Sequence, residues 1–517
     1  MLTNRGILLA SVLAPVAFVQ AEEWSGDFTG GLGAREELRF GSPIDLSSAD
    51  GVDVDFRCSD MGAIGWISGY FRCGETGWQA VSPLLDEPGG GWVRMRIPKR
   101  PAKAEGKPAG WGSVTGMKLV FIRATTNAFD AAVRNVRPYA NVPADAQALA
   151  DEKAKMLYPA DETRFVTCHY PWGLKRSPGV SWDELAKTVK DAGFNRLDVN
   201  FCRGLYAAYP SKVLRPWPKR KPGQAEDALA DCLAACRRQG LRLHAWRCCW
   251  TNPQWLTPAA EWTELIAANR LQVDCDGKVM EKKGWLCPTH PENVRLQVES
   301  MVELAGKGVD GIDFDYIRYN GRTGCFCARC RDLFARRIGR SLDADWPKRL
   351  KEDAELDRAW CEFRRETISQ VVREVSARVR KEHPAVKISA FVFEGPAIKI
   401  DLYGQDWPLW CRNGWLDEAL PMSYRRGLDD YRRSILFSRS FDAGAAKVLP
   451  MVGPSVWEDD GDQALVLLRE VGIARKAGFG GWGFFDLAER GLKVIAEIGP
   501  GKNCPTVKIS NPTNTER

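Results

Sequence analysis

From residue 164 to residue 499 the chain repeats one pattern eight times: a short apolar run, a polar or glycine-rich loop, then a stretch with helical periodicity. This alternation constrains the fold more than any other feature, because parallel strands can be joined only by crossovers that pass over the sheet. The predicted strands are Phe165–Tyr170, Phe194–Phe201, Leu241–Trp246, Gly308–Tyr319, Val386–Phe393, Leu416–Tyr424, Lys447–Gly453 and Gly481–Phe485. Helical patterns fall between them, among them Trp182–Ala192, Glu226–Gln239, Val294–Gly306, Cys327–Ile338 and Trp360–Glu382. Eight such units predict a (β/α)8 barrel over 164–499. A doubly wound open sheet is the alternative, and the absence of a glycine-rich phosphate loop after the first strand counts against it.

The stretch 22–140 reads differently. Val52, Val54 and Phe56 alternate with Asp53, Asp55 and Arg57, and Trp92–Ile97, Met117–Ile122 and Ala132–Arg137 repeat the short-strand pattern between turns. A jelly-roll-like β-sandwich is expected, resembling the carbohydrate-binding sandwiches appended to glycosidases, although a sandwich without a ligand fits equally well. Residues 141–163 form a polar connection with a short helix, and 500–517 a polar tail. Residues 1–21 carry a basic start at Arg5, an apolar run and a small-residue end at Ala21, the pattern of a signal peptide. Export to the periplasm or the medium is the expectation, with no integral membrane association.

Charge excludes one class of partner. The +7 balance of 73 basic and 66 acidic residues is scattered rather than clustered, which argues against nucleic-acid binding. The 20 tryptophans are compatible with sugar stacking, and equally with core packing.

The chemistry centres on Gly308–Tyr319. Strand alternation puts Gly311, Asp313 and Asp315 on one face, opposite Ile312 and Phe314. Two carboxylates so placed on a buried strand are costly unless a site uses them or a basic neighbour pairs with them. In a barrel the working groups lie where strands end. Those ends offer His169, Asn200, His244, Trp246, Glu394, Tyr424, Trp457, Trp482 and Asp486. Parity on the fifth strand aligns Glu394 with Ala390 and Val392, pointing it into the mouth. Paired carboxylates ringed by aromatic and amide groups suit cleavage of a glycosidic bond. The strand ends show no Ser elbow, Cys/His nucleophile pair or three-His set, so no catalytic metal or cofactor is expected.

The stretch Gly308-Val-Asp-Gly-Ile-Asp-Phe-Asp-Tyr-Ile-Arg-Tyr319 resembles the signature of the bacterial family 10-type glycosyl hydrolase-like barrels. Asp406-Trp407, Trp410, Gly414–Asp417, Pro421–Tyr424 and Trp285–Pro291 extend the resemblance in order, over about 164–490. It implies a (β/α)8 barrel and a glycan substrate, with some members linked to cell-wall glycans. The paired glutamates of a xylanase at the fourth and seventh strand ends are absent. Within this frame Asp315, supported by the motif, is the expected nucleophile or charge stabiliser. Glu394, supported by parity, is the expected acid/base, with Asp486 as its rival. Asp313 is expected to tune Asp315 or position Arg318, itself a candidate for binding substrate. His169, Asn200 and His244 are candidates for binding sugar hydroxyls, and Tyr424, Trp246 and Trp482 for stacking. A non-catalytic carbohydrate-binding barrel is the alternative function.

Sixteen cysteines form a second feature. Cys327-x-x-Cys330 has metal-ligand spacing, and Cys325 with Cys287 completes four candidate sulfurs. Export equally permits disulfides, within this group or between Cys58 and Cys73.

Overall fold

The computed structural model describes residues 22–499 except 32–33, 82, 86–90, 100–101, 124–125, 140–145, 176–178, 282, 323, 344, 395–396, 426–427 and 454–462. The expected leader, the C-terminal tail and Trp457 lie outside the described residues.

Two five-stranded antiparallel sheets occupy the N-terminal region. One runs Glu23–Phe28, Phe129–Tyr139, Gly51–Cys58, Val93–Pro98 and Leu84–Leu85 in spatial order; the other runs Arg35–Phe40, Val114–Arg123, Ile64–Cys73, Gly77–Val81 and Lys103–Gly106. The predicted alternation holds: Val52, Val54 and Phe56 are fully buried, while Asp53 turns outward to Arg96 at 2.7 Å. Phe28, Phe121 and Phe129 form an aromatic centre with ring centroids 5.1–5.7 Å apart. Cys58 and Cys73 end strands of different sheets and remain free thiols, contrary to the expected bridge. Cys232 and Cys236, one turn apart on the helix Ala228–Gln239, are free as well.

The eight barrel strands are Thr163–Cys168, Arg196–Arg203, Arg242–Cys248, Gly311–Asp315, Lys387–Val392, Glu418–Pro421, an interrupted seventh (Lys447–Val448 and Met451–Val452) and Gly481–Phe484. Every neighbour pair is parallel. The seventh strand closes the ring, since its first half pairs with the sixth strand and its second half with the eighth, which returns to the first. Leu449 N–H donates to Ala419 and Gly483 N–H to the Pro450 carbonyl, carrying the ladder across the interruption. The predicted (β/α)8 barrel is therefore the observed fold. The open sheet is excluded.

Helix boundaries follow local chemistry. Ser181 and Glu184 form a capping box on Trp182–Asp191, and the left-handed Gly240 ends Ala228–Gln239. The third strand runs two residues beyond its predicted end, to Cys248, so Trp246 is interior rather than terminal.

The barrel interior is layered, and one layer is unusual. Barrel interiors are mostly filled by branched apolar side chains. Here Arg196, Asp198, His244, Asp313, Ser389 and Glu418 are all buried inside. Arg196 donates to both oxygens of Asp198 at 2.7 Å and also to Glu418; Ser389 donates to Glu418 at 3.1 Å; and His244 Nδ1 lies 2.9 Å from Asp313 Oδ1. Two residues further along three of these strands, Trp246, Phe391 and Leu420 join Phe165, Cys248, Leu449 and Met451 in an apolar layer. The carboxylates beneath the floor are thereby cut off from the mouth above it.

Candidate active site

The mouth is built on that apolar floor. His169 follows the first strand, and its ring centroid lies 4.4 Å from Trp246 and 4.8 Å from Phe485. Its Nδ1 is 3.0 Å from Asp486 Oδ2, and both side chains reach solvent, at 37% and 21% exposure. Tyr424 follows the sixth strand, half-buried, with its ring 4.7 Å from Phe485 and its hydroxyl 3.5 Å from Met451 Sδ. Gly453 leaves room for it, since a Cβ there would meet the Tyr424 ring at 2.5 Å.

Asp315 ends the fourth strand with 6% of its surface exposed. The backbone N–H of Tyr316 donates to its Oδ1 at 2.7 Å, and the Cys248 thiol donates to its Oδ2 at 3.3 Å. Asn200 Nδ2 donates in turn to Cys248 Sγ at 2.9 Å. Tyr316 adopts a left-handed backbone (φ 49°), uncommon for a residue with a side chain and found at sites where function holds the chain in a costly conformation. Burial first, then the Asp315 charge, pushes the Tyr316 phenol up to about 12, and Lys283 Nζ donates to its oxygen at 3.2 Å.

Glu394, two residues beyond the fifth strand, is buried and ion-paired with Arg425. Each of the three carboxylates has its own partner: Cys248 and the Tyr316 amide for Asp315, Arg425 for Glu394, His169 for Asp486. Burial chiefly, and then the charges of Asp315, Asp486 and Glu394, hold the Tyr424 phenol well above its ordinary range.

Other sequence candidates are not brought to the mouth. Asp313 is fully buried against His244, beneath the floor, and neither can reach a substrate. Asn200 is fully buried and serves Cys248 rather than a hydroxyl. Trp246 is only 2% exposed and forms the floor. Trp482 is also 2% exposed, and it faces outward to Phe194, because Gly481 and Gly483 are its strand's inward residues. Arg318 is neither bound by Asp313 nor open to substrate. Its guanidinium lies 4.7–5.0 Å from the rings of Trp285, Tyr316, Phe393 and Tyr403. Sequence reasoning missed Cys248 and Tyr316 in the site and the Arg196–Asp198–Glu418 group below it. The alternation of Arg196, Asp198 and Asn200 against Leu197, Val199 and Phe201 was the available signal for the latter. It also missed Trp255, 59% exposed on the loop after the third strand.

The His244–Asp313 pair has a pH signature. Burial lowers His244 to about 4, with Arg196 adding to the effect, and burial raises Asp313 to about 7 against the pull of Arg196. Unfolded, such a pair titrates near 6.5 and 3.9. The folded pair thus carries nearly the same number of protons at each pH, with the proton moved from histidine to aspartate, and the two linkages cancel. His244→Gln removes the depressed member and leaves the raised one. Its stabilisation is complete below pH 4 and is lost as pH rises through about 7. We expect urea unfolding of the variant to weaken by up to about 1.4 kcal/mol per pH unit over pH 4–7 relative to wild type. Parallel pH profiles for the two proteins would contradict this proton exchange.

The four cysteines named from the sequence do meet. Sγ of Cys287 is 3.7 Å from that of Cys327 and from that of Cys330, and the four sulfurs lie within 4.8 Å of one another. No disulfide joins any of the described cysteines, so the disulfide alternative is not the arrangement seen here. Among the described residues no helix is long and apolar enough to cross a membrane.

Comparison with curated proteins finds no match. Among solved structures, the chain is similar to the PgaB (BpsB) glycoside hydrolase domain from Bordetella bronchiseptica, at 14% identity and TM-score 0.49, covering 63% of this chain and 94% of that one. It is also similar to the β-amylase catalytic domain from Paenibacillus polymyxa, at 11% identity and TM-score 0.43, covering 64% and 94%. A third is the β-galactosidase from the psychrophilic Marinomonas ef1, at 13% identity and TM-score 0.42, covering 63% of this chain and 54% of that one. The sequence profile of the glycosyl hydrolase-like 10 family matches residues 175–442, more than half of the 517 and spanning barrel strands two to six. The chain belongs to the glycosyl hydrolase-like 10 family.

Proposed function

We propose that this chain is a glycoside hydrolase that cleaves a polysaccharide or oligosaccharide between Asp315, Glu394, Tyr424 and Asp486. The observation that carries the reading is that three strand ends each present a carboxylate around the apolar floor, every one held by its own partner: Asp315 by the Tyr316 amide and the Cys248 thiol, Glu394 by Arg425 next to Tyr424, and Asp486 by His169, which packs on Trp246 and Phe485. Glycosidic cleavage needs one carboxyl to protonate the leaving oxygen and another to attack the sugar or activate water. Asp315 suits the second role, because two donors hold it as a fixed acceptor. Asp486 suits the first: its Oδ2 lies 3.0 Å from His169 Nδ1, within reach for proton relay, and solvent reaches both side chains. Parity placed Glu394 in the acid role. Its ion pair with Arg425 favours the charged form instead, which suits hydrogen bonding to sugar hydroxyls. The exposed face of Trp255, on the loop after the third strand, offers a stacking surface.

Hydrolysis of a glycan panel that includes peptidoglycan strands, followed by reducing-end release, tests the assignment. Asp486→Asn is expected to lower kcat by about 10²–10⁴-fold with little change in KM. Glu394→Gln is expected to act mainly on KM. The reverse pattern would return the acid role to Glu394. Wild-type binding without cleavage of any glycan would make the protein a carbohydrate-binding barrel.

A further inference from the structure

We infer that Cys287, Cys325, Cys327 and Cys330 form a structural zinc site that locks the loops after the third and fourth barrel strands together. A tetrahedral zinc thiolate with Zn–S bonds of about 2.3 Å places its sulfurs about 3.8 Å apart. Cys287 stands 3.7 Å from Cys327 and 3.7 Å from Cys330, and all four sulfurs lie within 4.8 Å of one another. A disulfide brings two sulfurs to about 2.05 Å and leaves the others unpaired.

The surroundings fit four thiolates. Thr289 Oγ1 lies 3.2 Å from both Cys287 Sγ and Cys330 Sγ, and the Val273 N–H donates to Cys325 Sγ at 3.4 Å. These are donors of the kind that orient metal ligands and offset their charge. Cys327 stands at the N-cap position of the helix Ala328–Ile338 and Cys330 in its first turn, where the helix dipole favours thiolates. Four protein ligands leave no open position, as in a structural rather than a catalytic zinc site.

The buried Asp198–His244–Asp313 group is the competing metal candidate. Its acids are already engaged by Arg196 and by His244, and a guanidinium bonded to both Asp198 oxygens repels a cation.

Position gives the cysteine site its consequence. Cys287 follows Trp285, whose ring lies 5.6 Å from Tyr316, and Tyr316 supplies the amide that holds Asp315. Cys325 continues the loop that leaves the fourth strand, and the next residue, Phe326, donates its N–H to Val273. The ion would brace the segment that shapes the mouth without touching substrate.

Elemental analysis of the full chain, purified without chelator from medium containing both zinc and iron, is the first test. About one zinc per chain is expected, with an X-ray absorption first shell of four sulfurs at about 2.3 Å. Cys327→Ser and Cys330→Ser should each drop zinc below about 0.2 per chain and lower the thermal midpoint, with no such drop for the remote Cys411→Ser. Where those variants do not accumulate, wild type decides: mercurial titration of four thiols should release one zinc, read with a chromogenic chelator. Zinc-free protein with four alkylatable thiols, disulfide-linked peptides from this cluster, or iron in place of zinc would each overturn the assignment.

Discussion

Asp315→Asn is expected to reduce glycan hydrolysis by roughly a thousandfold or more while leaving glycan binding nearly intact. The substitution is isosteric. The Asn carbonyl can still accept the Tyr316 N–H, and the Cys248 thiol loses a charged acceptor, so the fold should lose no more than about 1 kcal/mol. What disappears is the negative charge at the point where the sugar becomes cationic. The measurement is kcat and KM on whichever glycan of the panel is cleaved, with the melting temperature as a control for folding. Retention of a tenth of the wild-type rate in a folded variant would remove Asp315 from the chemistry and leave Asp486 and Glu394 as the pair.

Arg196→Met should be the most damaging single change to stability, costing about 3–5 kcal/mol, because it strips the cation from buried carboxylates. The guanidinium bonds Asp198 through two atoms and Glu418 through a third, and lies 4.2 Å from the centre of the Phe165 ring. Burial pushes Asp198 up to about 7 even with Arg196 present, whereas at Glu418 burial is overruled by Arg196, which holds it at about 2. Without the arginine Asp198 shifts further up and Glu418 loses the pull that keeps it low. Groups raised above their unfolded range contribute stability at low pH and lose it as pH rises, so the variant should be weakest above pH 7 and partly recovered at pH 5. Adding Asp198→Asn and Glu418→Gln should restore part of the loss at neutral pH, because a neutral cluster needs no counter-ion. Equal destabilisation at pH 5 and pH 8 would show that lost packing, not charge, is responsible.

Reading the sequence alone succeeded where the signal was periodic. The β/α alternation specified the barrel, and parity on Gly311–Asp315 placed Asp313 and Asp315 inside, with Ile312 and Phe314 against the helices. It failed where depth decided. Asp313 and Asp315 share a face and differ by two residues, yet one lies beneath an aromatic floor and the other above it. Trp246 and Trp482 look alike as strand-end tryptophans. One proved to be floor because its strand runs two residues longer, and the other faces the helices because its neighbouring residues, Gly481 and Gly483, turn inward.

What the sequence by itself determined is the order of strands and helices, the inward or outward sense of each residue on the fourth strand, and the set of four cysteines. These follow from local rules of period and spacing that need no partner. The tertiary structure alone decided which inward residues meet solvent, which carboxylates acquire a cation, a thiol or an imidazole, and that Cys287, 40 residues from Cys327, comes within 3.7 Å of it. Those outcomes depend on how far each strand is displaced along its neighbours when the sheet closes, and on side chains brought together from distant parts of the chain. Hydrophobic periodicity encodes neither.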